Sequence, residues 1–447
     1  MRHGLAALYG LGMTNIGLDM TGSAPTTDRH APDDTAARVG TIVLNYRNIE
    51  DTIRCVEALR MSDFLDQRIL VVDNAQDGPA TAALRDQLEP GITVLASGDN
   101  LGYAGGNNYG IKWALQWQPE FVWLVNPDAV AKPNTLSGLV RAADAHPDAG
   151  IVGCRMLQGG SRPARIESNG GTLDPARWGA APKRDTGRFD GEVTETGVRA
   201  VDWVSGACFL VRTALIDDVG LLPEEYFLYY EDTDYCLRAQ RAGWRTVVTP
   251  GTRMWHFRRS SGDLPSASYV YYVCRNRIHF GMRHFNATVD DVVGQLDRFV
   301  QRWRTRVEHH APELLGAYDE IVRMAVADAR AGRLGRATEL ESIPFSPKRA
   351  TSTGEVAQLT EVLERERRLR ARDAKRLLAR IKQDSAEVSR VRKLERALER
   401  ERRHRAGVEA KLRALRSSRS FRVGRVIGRL ARPVAAARSI VRRRAVK

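Results

Sequence analysis

Five short β-rich apolar runs lie between residues 39 and 154, and helical patterns such as EDTIRCVEALRM and NTLSGLVRAADAH separate them. The runs are TIVLNY (41–46), RILVVDN (68–74), ITVLAS (92–97), FVWLVNPD (121–128) and AGIVGC (149–154). Nearly continuous apolar strands that alternate with amphipathic helices are typical of a mostly parallel sheet with helices on both faces. The sequence therefore predicts an α/β fold.

In such a sheet the ligand lies beyond the carboxyl ends of the strands, so polar residues at those ends are candidate binding residues. These residues are Asn45, Asp73, Asn74, Ser97, Asn126 and Asp128. Asn126 and Asp128 are separated by one residue, and oxygen ligands with this spacing can bind a hard divalent cation that bridges two phosphates. The alternative is a turn that binds no metal, because Asn-Pro-Asp is equally typical of turns.

The segment GDNLGYAGGNNYG (98–110) is a glycine- and asparagine-rich turn that leads from a strand into a helix. Gly102, Gly105 and Gly106 let the backbone approach a ligand closely, and amides at the start of a helix can bind phosphate. The segment has neither the GxGxxG pattern of dinucleotide-binding proteins nor a Walker loop. This difference argues against a dehydrogenase and an NTPase.

The segment YYEDTDYCLRAQRAGW (229–244) places Glu231, Asp232 and Asp234 in the first turn of a predicted helix. The helix dipole keeps such carboxylates ionised, and an ionised carboxylate beside a substrate hydroxyl can act as a general base. The alternative is an ordinary acidic helix start. His256 follows Asp232 by 24 residues, about the length of a helix, a turn and a strand, which brings it back to the same sheet edge. A lone histidine among aromatics is otherwise often a packed one.

These segments occur together with VDWVSGACFLVR (201–212) in an order and spacing similar to those of family 2 inverting glycosyltransferases with the GT-A fold. The chain most resembles bacterial rhamnosyltransferases and galactofuranosyltransferases of cell-wall and surface-polysaccharide assembly. The resemblance covers about residues 39–285. It implies a Rossmann-like, mostly parallel sheet, a nucleotide-sugar donor, Mg²⁺ or Mn²⁺, and a single displacement at the anomeric carbon.

The resemblance also implies roles for individual residues. Asp232 is expected to be the general base, and Asp128 with His256 to bind the metal. The expected donor-binding residues come from the polar strand ends and from the glycine-rich turn. They are Asn45, Asp73, Asn100, Gly102, Gly105, Asn107 and Asn126. The expected acceptor and sugar pocket consists of Trp203, Gly206, Glu231, Arg275 and Asn276. An asparagine at the first position of the metal motif leaves Asp128 as its only charged ligand.

The rest of the chain is predicted from periodicity and charge. The predicted parts are a disordered extension (1–38), the GT-A domain (39–285), a helical extension (286–341), a linker (342–354), a coiled coil (355–416) and a basic amphipathic tail (417–447). The coiled coil rests on an imperfect heptad seam from Val391 to Leu415, and a single charged helix is the alternative. A coiled coil would support a homo-oligomer.

Residues 401–447 hold sixteen Lys or Arg and two acidic residues, so most of the net charge of +15 lies there. A basic amphipathic helix suits an anionic membrane surface. A solvated or protein-binding tail is the alternative. Nucleic acid is not expected as a partner, because Phe421 is the only aromatic residue among these arginines.

The five cysteines are scattered and odd in number, which favours reduced, mostly buried thiols in a cytosolic chain. No apolar run approaches the roughly 20 residues of a membrane span, and the N-terminus is not expected to be a signal peptide.

We therefore expect a cytoplasmic enzyme, peripheral on the membrane, that transfers a sugar to a glycan or polyprenyl-diphosphate-linked acceptor. Rhamnose is the first expectation, ahead of galactofuranose. The alternative is an inactive, transferase-like scaffold at the membrane.

Overall fold

The computed structural model describes residues 37–345 except 76–77, 90, 162, 180 and 258–263. The predicted coiled coil, the basic tail, most of the linker and residues 1–36 of the N-terminal extension lie outside the described residues. The described part begins inside the fold, because Ala37 is buried and Arg38 forms an ion pair with Glu120 at 2.7 Å.

A single sheet of ten strands runs through the described residues. The strands are β1 (Val39–Asn45), β2 (Gln67–Asp73), β3 (Thr93–Ala96), β4 (Phe121–Val125), β5 (Ala129–Ala131), β6 (Ala149–Gln158), β7 (Ile166–Ser168), β8 (Arg199–Ala200), β9 (Cys208–Arg212) and β10 (Arg245–His256). Their order is β3-β2-β1-β4-β9-β6-β10-β5, with β7 beside β6 and β8 beside β10.

The sheet is mixed rather than purely parallel. Strands β3, β2, β1 and β4 pair in parallel, as do β6 and β10. β9 runs antiparallel between β4 and β6, and β5 runs antiparallel at the edge beside β10. The predicted α/β fold is confirmed, with six of the ten strands running in one direction and β9 reversed between the two parallel parts.

Helices cover both faces of this sheet. The helices are α1 (Ile49–Arg60), α2 (Pro79–Gln87), α3 (Gly102–Ala114), α4 (Thr135–Ala145), α5 (Thr213–Val219), α6 (Glu231–Arg241), α7 (Ala267–Phe285), α8 (Val289–His310) and α9 (Leu315–Arg330). Successive strand residues point to opposite faces. Val43 therefore packs in the core beneath α1, α2 and α4, whereas Ile42 and Leu44 pack beneath α3, α5 and α6.

A third core joins α7, α8 and α9. Ile278 of α7, Val292 of α8 and Ile321 of α9 are fully buried in it, and Phe345 packs against the same core. The helical region predicted beyond residue 285 is therefore packed directly on α7. None of the helices within the described ranges has the length and apolar character needed to cross a bilayer. All five cysteines are free and buried, as predicted.

Candidate active site

Polar side chains at the carboxyl ends of β1 and β2 form the first part of the site. Parallel pairing of these strands places Asn45 opposite Asp73. Asn45 Nδ2 donates a hydrogen bond to Asp73 Oδ1 over 2.8 Å, and Thr81 Oγ1 donates to Asp73 Oδ2 over 2.5 Å. Asp73 is thus a buried, fixed acceptor at the sheet edge where a nucleotide base is expected. Its contact with a base stays a prediction.

Asn74 holds the glycine-rich turn against this edge. Its Nδ2 donates to the carbonyl oxygen of Gly102 over 2.9 Å and to Oδ1 of Asn100 over 3.3 Å. Its Oδ1 accepts from the amide of Leu101 over 3.0 Å. Gly102 has a φ of +73°, and a Cβ there would lie 2.3 Å from the carbonyl oxygen of Phe227. Backbone conformation and packing both require glycine at this position.

The first amides of α3 are already engaged. The Gly102 amide donates to Oδ1 of Asn100 over 3.1 Å, and the Tyr103 amide donates to the carbonyl of Phe227 over 2.6 Å. Gly105 follows in the same helix, where a Cβ would lie 2.9 Å from Cβ of Leu101. A phosphate at this helix start therefore finds fewer free amides than the sequence of the turn suggests.

The end of β4 and the end of β10 form the second part of the site. Antiparallel pairing of β5 with β10 places His256 opposite Ala129, the residue after Asp128. Nε2 of His256 lies 3.1 Å from Oδ1 of Asp128 and 3.4 Å from Nδ2 of Asn126. On the other side of the ring, Nδ1 lies 2.8 Å from Oε2 of Glu167. His256 is thus held between two carboxylates.

This arrangement fits a divalent metal that shares its coordination shell with a substrate. A carboxylate oxygen of Asp128 and an imidazole nitrogen of His256 are suitable ligands for Mn²⁺, and Mg²⁺ also prefers such oxygens. Within the described residues, no group of three or more His, Cys, Asp and Glu side chains is placed to hold a metal by itself. Mg²⁺ is commonly bound by one or two carboxylates together with substrate phosphates, so two protein ligands suffice for such a site.

The charges around His256 also affect its protonation. Burial lowers the pKa of His256, but hydrogen bonds to Asp128 and Glu167 and the charges of these carboxylates outweigh that effect. The net result is a raised pKa.

The start of α6 forms the third part of the site. Oδ2 of Asp232 accepts a hydrogen bond from the Gly206 amide over 2.9 Å, and Oδ1 accepts from the Thr233 amide over 2.6 Å. Asp232 is only half-buried. Burial raises its pKa, and the hydrogen bonds from Gly206 and Thr233 counteract only part of this effect. A positioned carboxylate with a raised pKa is better suited to accept a proton than an exposed one.

Gly206 and Ala207 form hydrogen bonds to all three parts of the site. The carbonyl of Gly206 accepts from the hydroxyl of Tyr103 on α3 over 2.6 Å, while its amide binds Asp232. The carbonyl of Ala207 accepts from the amide of Asn126 over 3.3 Å. A Cβ on Gly206 would lie 2.7 Å from the Tyr103 hydroxyl, so the connection requires glycine.

Three predicted site residues bury polar atoms without a hydrogen-bond partner. These atoms are Asn107 Oδ1, Trp203 Nε1 and Glu231 Oε2. Buried polar groups without a partner are uncommon, and at a candidate site they are available to bind a ligand. The indole nitrogens of Trp117 and Trp123 are unpaired as well, so the atoms of Asn107 and Glu231 are the stronger indication of a ligand.

Arg275 and Asn276 lie on α7 and are almost completely buried. Nδ2 of Asn276 donates to the carbonyls of Tyr226, Leu228 and Tyr229 over 2.8–2.9 Å, and Arg275 donates to the carbonyl of Tyr226 over 3.0 Å. Both side chains therefore hold the loop that leads into α6. Direct contact of this pair with an acceptor stays a prediction.

Sequence reasoning missed Glu167 and Lys183, which lie between the run AGIVGC and the segment VDWVSGACFLVR. Nζ of Lys183 donates to Oε1 of Glu167 over 2.9 Å, and Lys183 also lowers the pKa of Asp232 through its charge. The only signal was an acidic residue within the short run RIES. Nothing in the spacing linked that run to His256.

Comparison with known proteins identifies the family. The model of glycosyltransferase-like family 2 matches residues 37–271, just over half of the chain. The chain belongs to this family. The predicted resemblance to rhamnosyltransferases and galactofuranosyltransferases is confirmed by the relatives that it matches.

One relative is N-acetylglucosaminyl-diphospho-decaprenol L-rhamnosyltransferase of Mycobacterium tuberculosis, which is 32% identical over 220 residues. That match covers 45% of this chain and 70% of the relative. The low-salt glycan biosynthesis hexosyltransferase Agl10 of Haloferax volcanii is 26% identical over 292 residues, covering 63% of this chain and 90% of the relative.

Among solved structures, the mannosyltransferase PcManGT from Pyrobaculum calidifontis, in complex with GDP-Man and Mn²⁺, is 16% identical with a TM-score of 0.40. The match covers 74% of this chain and 83% of that chain.

Proposed function

We propose that this family 2 glycosyltransferase moves a sugar from a nucleoside-diphosphate donor to a hydroxyl group of a glycan or polyprenyl-linked acceptor, with inversion at the anomeric carbon. The observation that carries the proposal is the connection through Gly206 and Ala207. This segment hydrogen-bonds the donor-side helix α3, the Asn126–Asp128 turn and Asp232. One backbone segment therefore contacts all three of the groups to which we assign this reaction.

We assign a separate role in the reaction to each group of site residues. Asp232 takes the proton of the attacking hydroxyl, because its carboxylate is held by two amides and has a raised pKa. Asp128 and His256 would hold a divalent metal, and this metal would supply positive charge to the leaving diphosphate. We assign the diphosphate chiefly to the metal site at Asp128 and His256, since the amides of Gly102 and Tyr103 already donate hydrogen bonds to Asn100 and Phe227.

Rhamnose, carried by thymidine diphosphate, is the sugar that we propose first. The name of the Mycobacterium tuberculosis relative supports both this sugar and a polyprenyl-diphosphate-linked acceptor. Galactofuranose, carried by uridine diphosphate, is the second choice. An acceptor with a polyprenyl chain would bring the enzyme to the cytoplasmic surface of a membrane, where the basic tail predicted for residues 417–447 would support attachment.

A donor screen tests the proposal. We expect purified full-length protein to be stabilised against heat by one nucleotide sugar in the presence of Mn²⁺ or Mg²⁺, and to release nucleoside diphosphate slowly. EDTA and Asp128→Asn should each remove the metal-dependent part of the stabilisation. Asp217→Asn, the same substitution at an exposed position of α5, is the control and should behave like wild type.

The alternative function is an inactive scaffold with a transferase-like domain. Stabilisation by a nucleotide sugar without any hydrolysis or transfer would favour it. No stabilisation by any nucleotide sugar, with metal present, would contradict donor binding itself.

A further inference from the structure

Glu167 is a buried carboxylate that contacts both His256 and Lys183, and the proposed reaction does not yet use it. It lies in β7, which pairs with β6 at the side of the sheet where β10 ends in His256. One carboxylate oxygen, Oε2, lies 2.8 Å from Nδ1 of His256. The other, Oε1, accepts from Nζ of Lys183 over 2.9 Å. The exposed fraction of the Glu167 side chain is only 10%.

We propose that Glu167 is the positioning residue of the metal-binding histidine: it accepts the proton of Nδ1 and thereby directs the unprotonated Nε2 of His256 toward the metal. The inference rests on the proposed function, because it assumes that Asp128 and His256 bind a metal. Nε2 already faces Asp128 at 3.1 Å and Asn126 at 3.4 Å, so the ring is in the required orientation.

The physical reason lies in the two ring nitrogens. A neutral imidazole carries one proton, and the nitrogen without it is the metal ligand. Histidine ligands therefore usually donate their other N–H to a carboxylate or carbonyl, which fixes both the tautomer and the ring orientation. Glu167 is placed to accept this bond, whereas Asp128 on the opposite side of the ring is itself a proposed ligand. The two carboxylates thus have different tasks.

Lys183 completes the arrangement. Its segment is tied down by a β-bridge between Lys183 and Gly171, and Gly171 forms a second bridge with Trp203. The ammonium group holds Oε1 of Glu167, so Oε2 is kept toward the histidine ring. The charge of Lys183 also offsets part of the rise that burial causes in the pKa of Asp232, so this cation acts on the proposed base as well as on Glu167.

The alternative is a purely structural ion pair between β7 and the Lys183 segment. Such a pair would affect folding but would not alter the affinity of the protein for a metal. Metal affinity, measured without turnover, therefore separates the two explanations.

The experiment is a Mn²⁺ titration of the full-length protein, followed by electron paramagnetic resonance, with thymidine or uridine diphosphate present. In Glu167→Gln the amide oxygen stays with Lys183, so the NH₂ group faces Nδ1 of His256 and cannot accept its proton. We therefore expect this substitution to weaken Mn²⁺ binding by about 10- to 100-fold, the range typical for loss of a hydrogen bond to a metal-binding histidine. Lys183→Met should weaken it less. Glu195→Gln is the matched control, since Glu195 lies in the same segment but is paired with Arg199 at the surface, and it should leave the affinity unchanged.

The outcomes separate this inference from the proposed function. If wild-type protein binds no Mn²⁺ even with the nucleotide, the metal site fails, and the role of Glu167 fails with it. If wild type binds Mn²⁺ and Glu167→Gln binds it equally well, only the role of Glu167 is wrong.

A measurement on wild type covers the case in which Glu167→Gln does not fold. In protein with ¹⁵N-labelled histidine and bound Mg²⁺, the ring signals of His256, assigned with His256→Gln, should show the proton on Nδ1. A proton on Nε2 would overturn the inference.

Discussion

The two sides of α6 give opposite environments to the same residue type. Asp232 faces the candidate active site, is half-buried and accepts from backbone amides. Asp234 lies two residues further on, on the side that packs against α7, and has no exposed side-chain surface. Its Oδ2 lies 2.5 Å from Nε2 of His284 and accepts from the hydroxyl of Tyr226 over 2.8 Å. One of these carboxylates is accessible to a substrate, and the other serves the fold.

Their pKa values differ for the same reason. Burial raises the pKa of both carboxyls, but for Asp234 the hydrogen bond and charge of His284, with Tyr226 and Arg283, outweigh burial and lower it. For Asp232 the amides of Gly206 and Thr233 do not compensate, and the pKa stays raised. Environment, and not residue type, thus assigns the role of each acid.

The loop before α6 explains why its start is so well fixed. Phe227, Tyr229 and Tyr230 all have positive φ values between 64° and 77°, a conformation that side chains other than glycine rarely adopt. Asn276 and Arg275 hold the carbonyls of this loop from α7. Such strain persists only where surrounding contacts determine the backbone, and it is frequent at functional sites.

The largest expected effect is that of Asp232→Asn on turnover. The substitution removes the proton acceptor, so we expect kcat to fall by about 10²- to 10⁴-fold, the usual contribution of general base catalysis. The amide oxygen of asparagine can keep one of the two backbone hydrogen bonds, so folding and donor affinity should change little. Transfer assays, thermal unfolding and donor titration measure these quantities.

Asp217→Asn, an exposed position on α5, is the control for this substitution. A kcat within threefold of wild type in Asp232→Asn would remove Asp232 from the mechanism. The distinction between the two sides of α6 would then have no catalytic meaning.

The second effect is on stability. Asp234→Ala leaves His284 and Tyr226 without their shared buried partner, so we expect the free energy of unfolding to fall by about 3 kcal/mol. Urea denaturation measures this change. Asp319→Ala is the matched control, because Asp319 pairs with Arg304 at the surface, where ion pairs contribute little. Equal stability of Asp234→Ala and wild type would show that Asp234 does not anchor α6 to α7.

Strand periodicity and strand-end chemistry predicted the sheet and much of the candidate site. The apolar runs that end near Asn45, Asp73 and Asp128 form β1, β2 and β4, and their apolar residues are buried on both faces of the sheet. A nearly continuous apolar run is visible in a few consecutive residues, so these strands could be predicted from the sequence. Parallel pairing then brings the strand ends together, so Asn45 could be expected beside Asp73. The reversed β9 could not be placed in this way, because its position depends on long-range pairing.

The supporting residues were beyond sequence reasoning for a different reason. Glu167 and His256 are 89 residues apart, and only the adjacent positions of β7, β6 and β10 bring them to 2.8 Å. Likewise, the separation of Asp232 from Asp234 into two roles depends on His284, which is 50 residues away. Residue patterns predict which side chains can do chemistry, whereas tertiary contacts decide which of them are free to do it.

The smallest expected effect concerns Glu231, the neighbour of Asp232 in the first turn of α6. Burial and the charge of Asp232 raise the pKa of Glu231 well above its ordinary value. Between the unfolded and folded pKa values, the folded protein therefore holds a proton that the unfolded chain has released. Stability falls with rising pH wherever the folded state binds more protons, so Glu231 should destabilise wild type progressively as pH rises through this window.

Glu231→Gln removes this titration and keeps the size of the side chain. We expect its free energy of unfolding to lie within about 1 kcal/mol of wild type near pH 5, since acid and amide each leave one buried polar group unpaired. The difference should then change in favour of the variant as pH rises toward 8, while Glu313→Gln, at an exposed position, shows no such change. Urea denaturation at several pH values measures both. Parallel stability curves for wild type and Glu231→Gln would mean that Glu231 is ionised in the folded protein, and the first turn of α6 would then hold two adjacent negative charges.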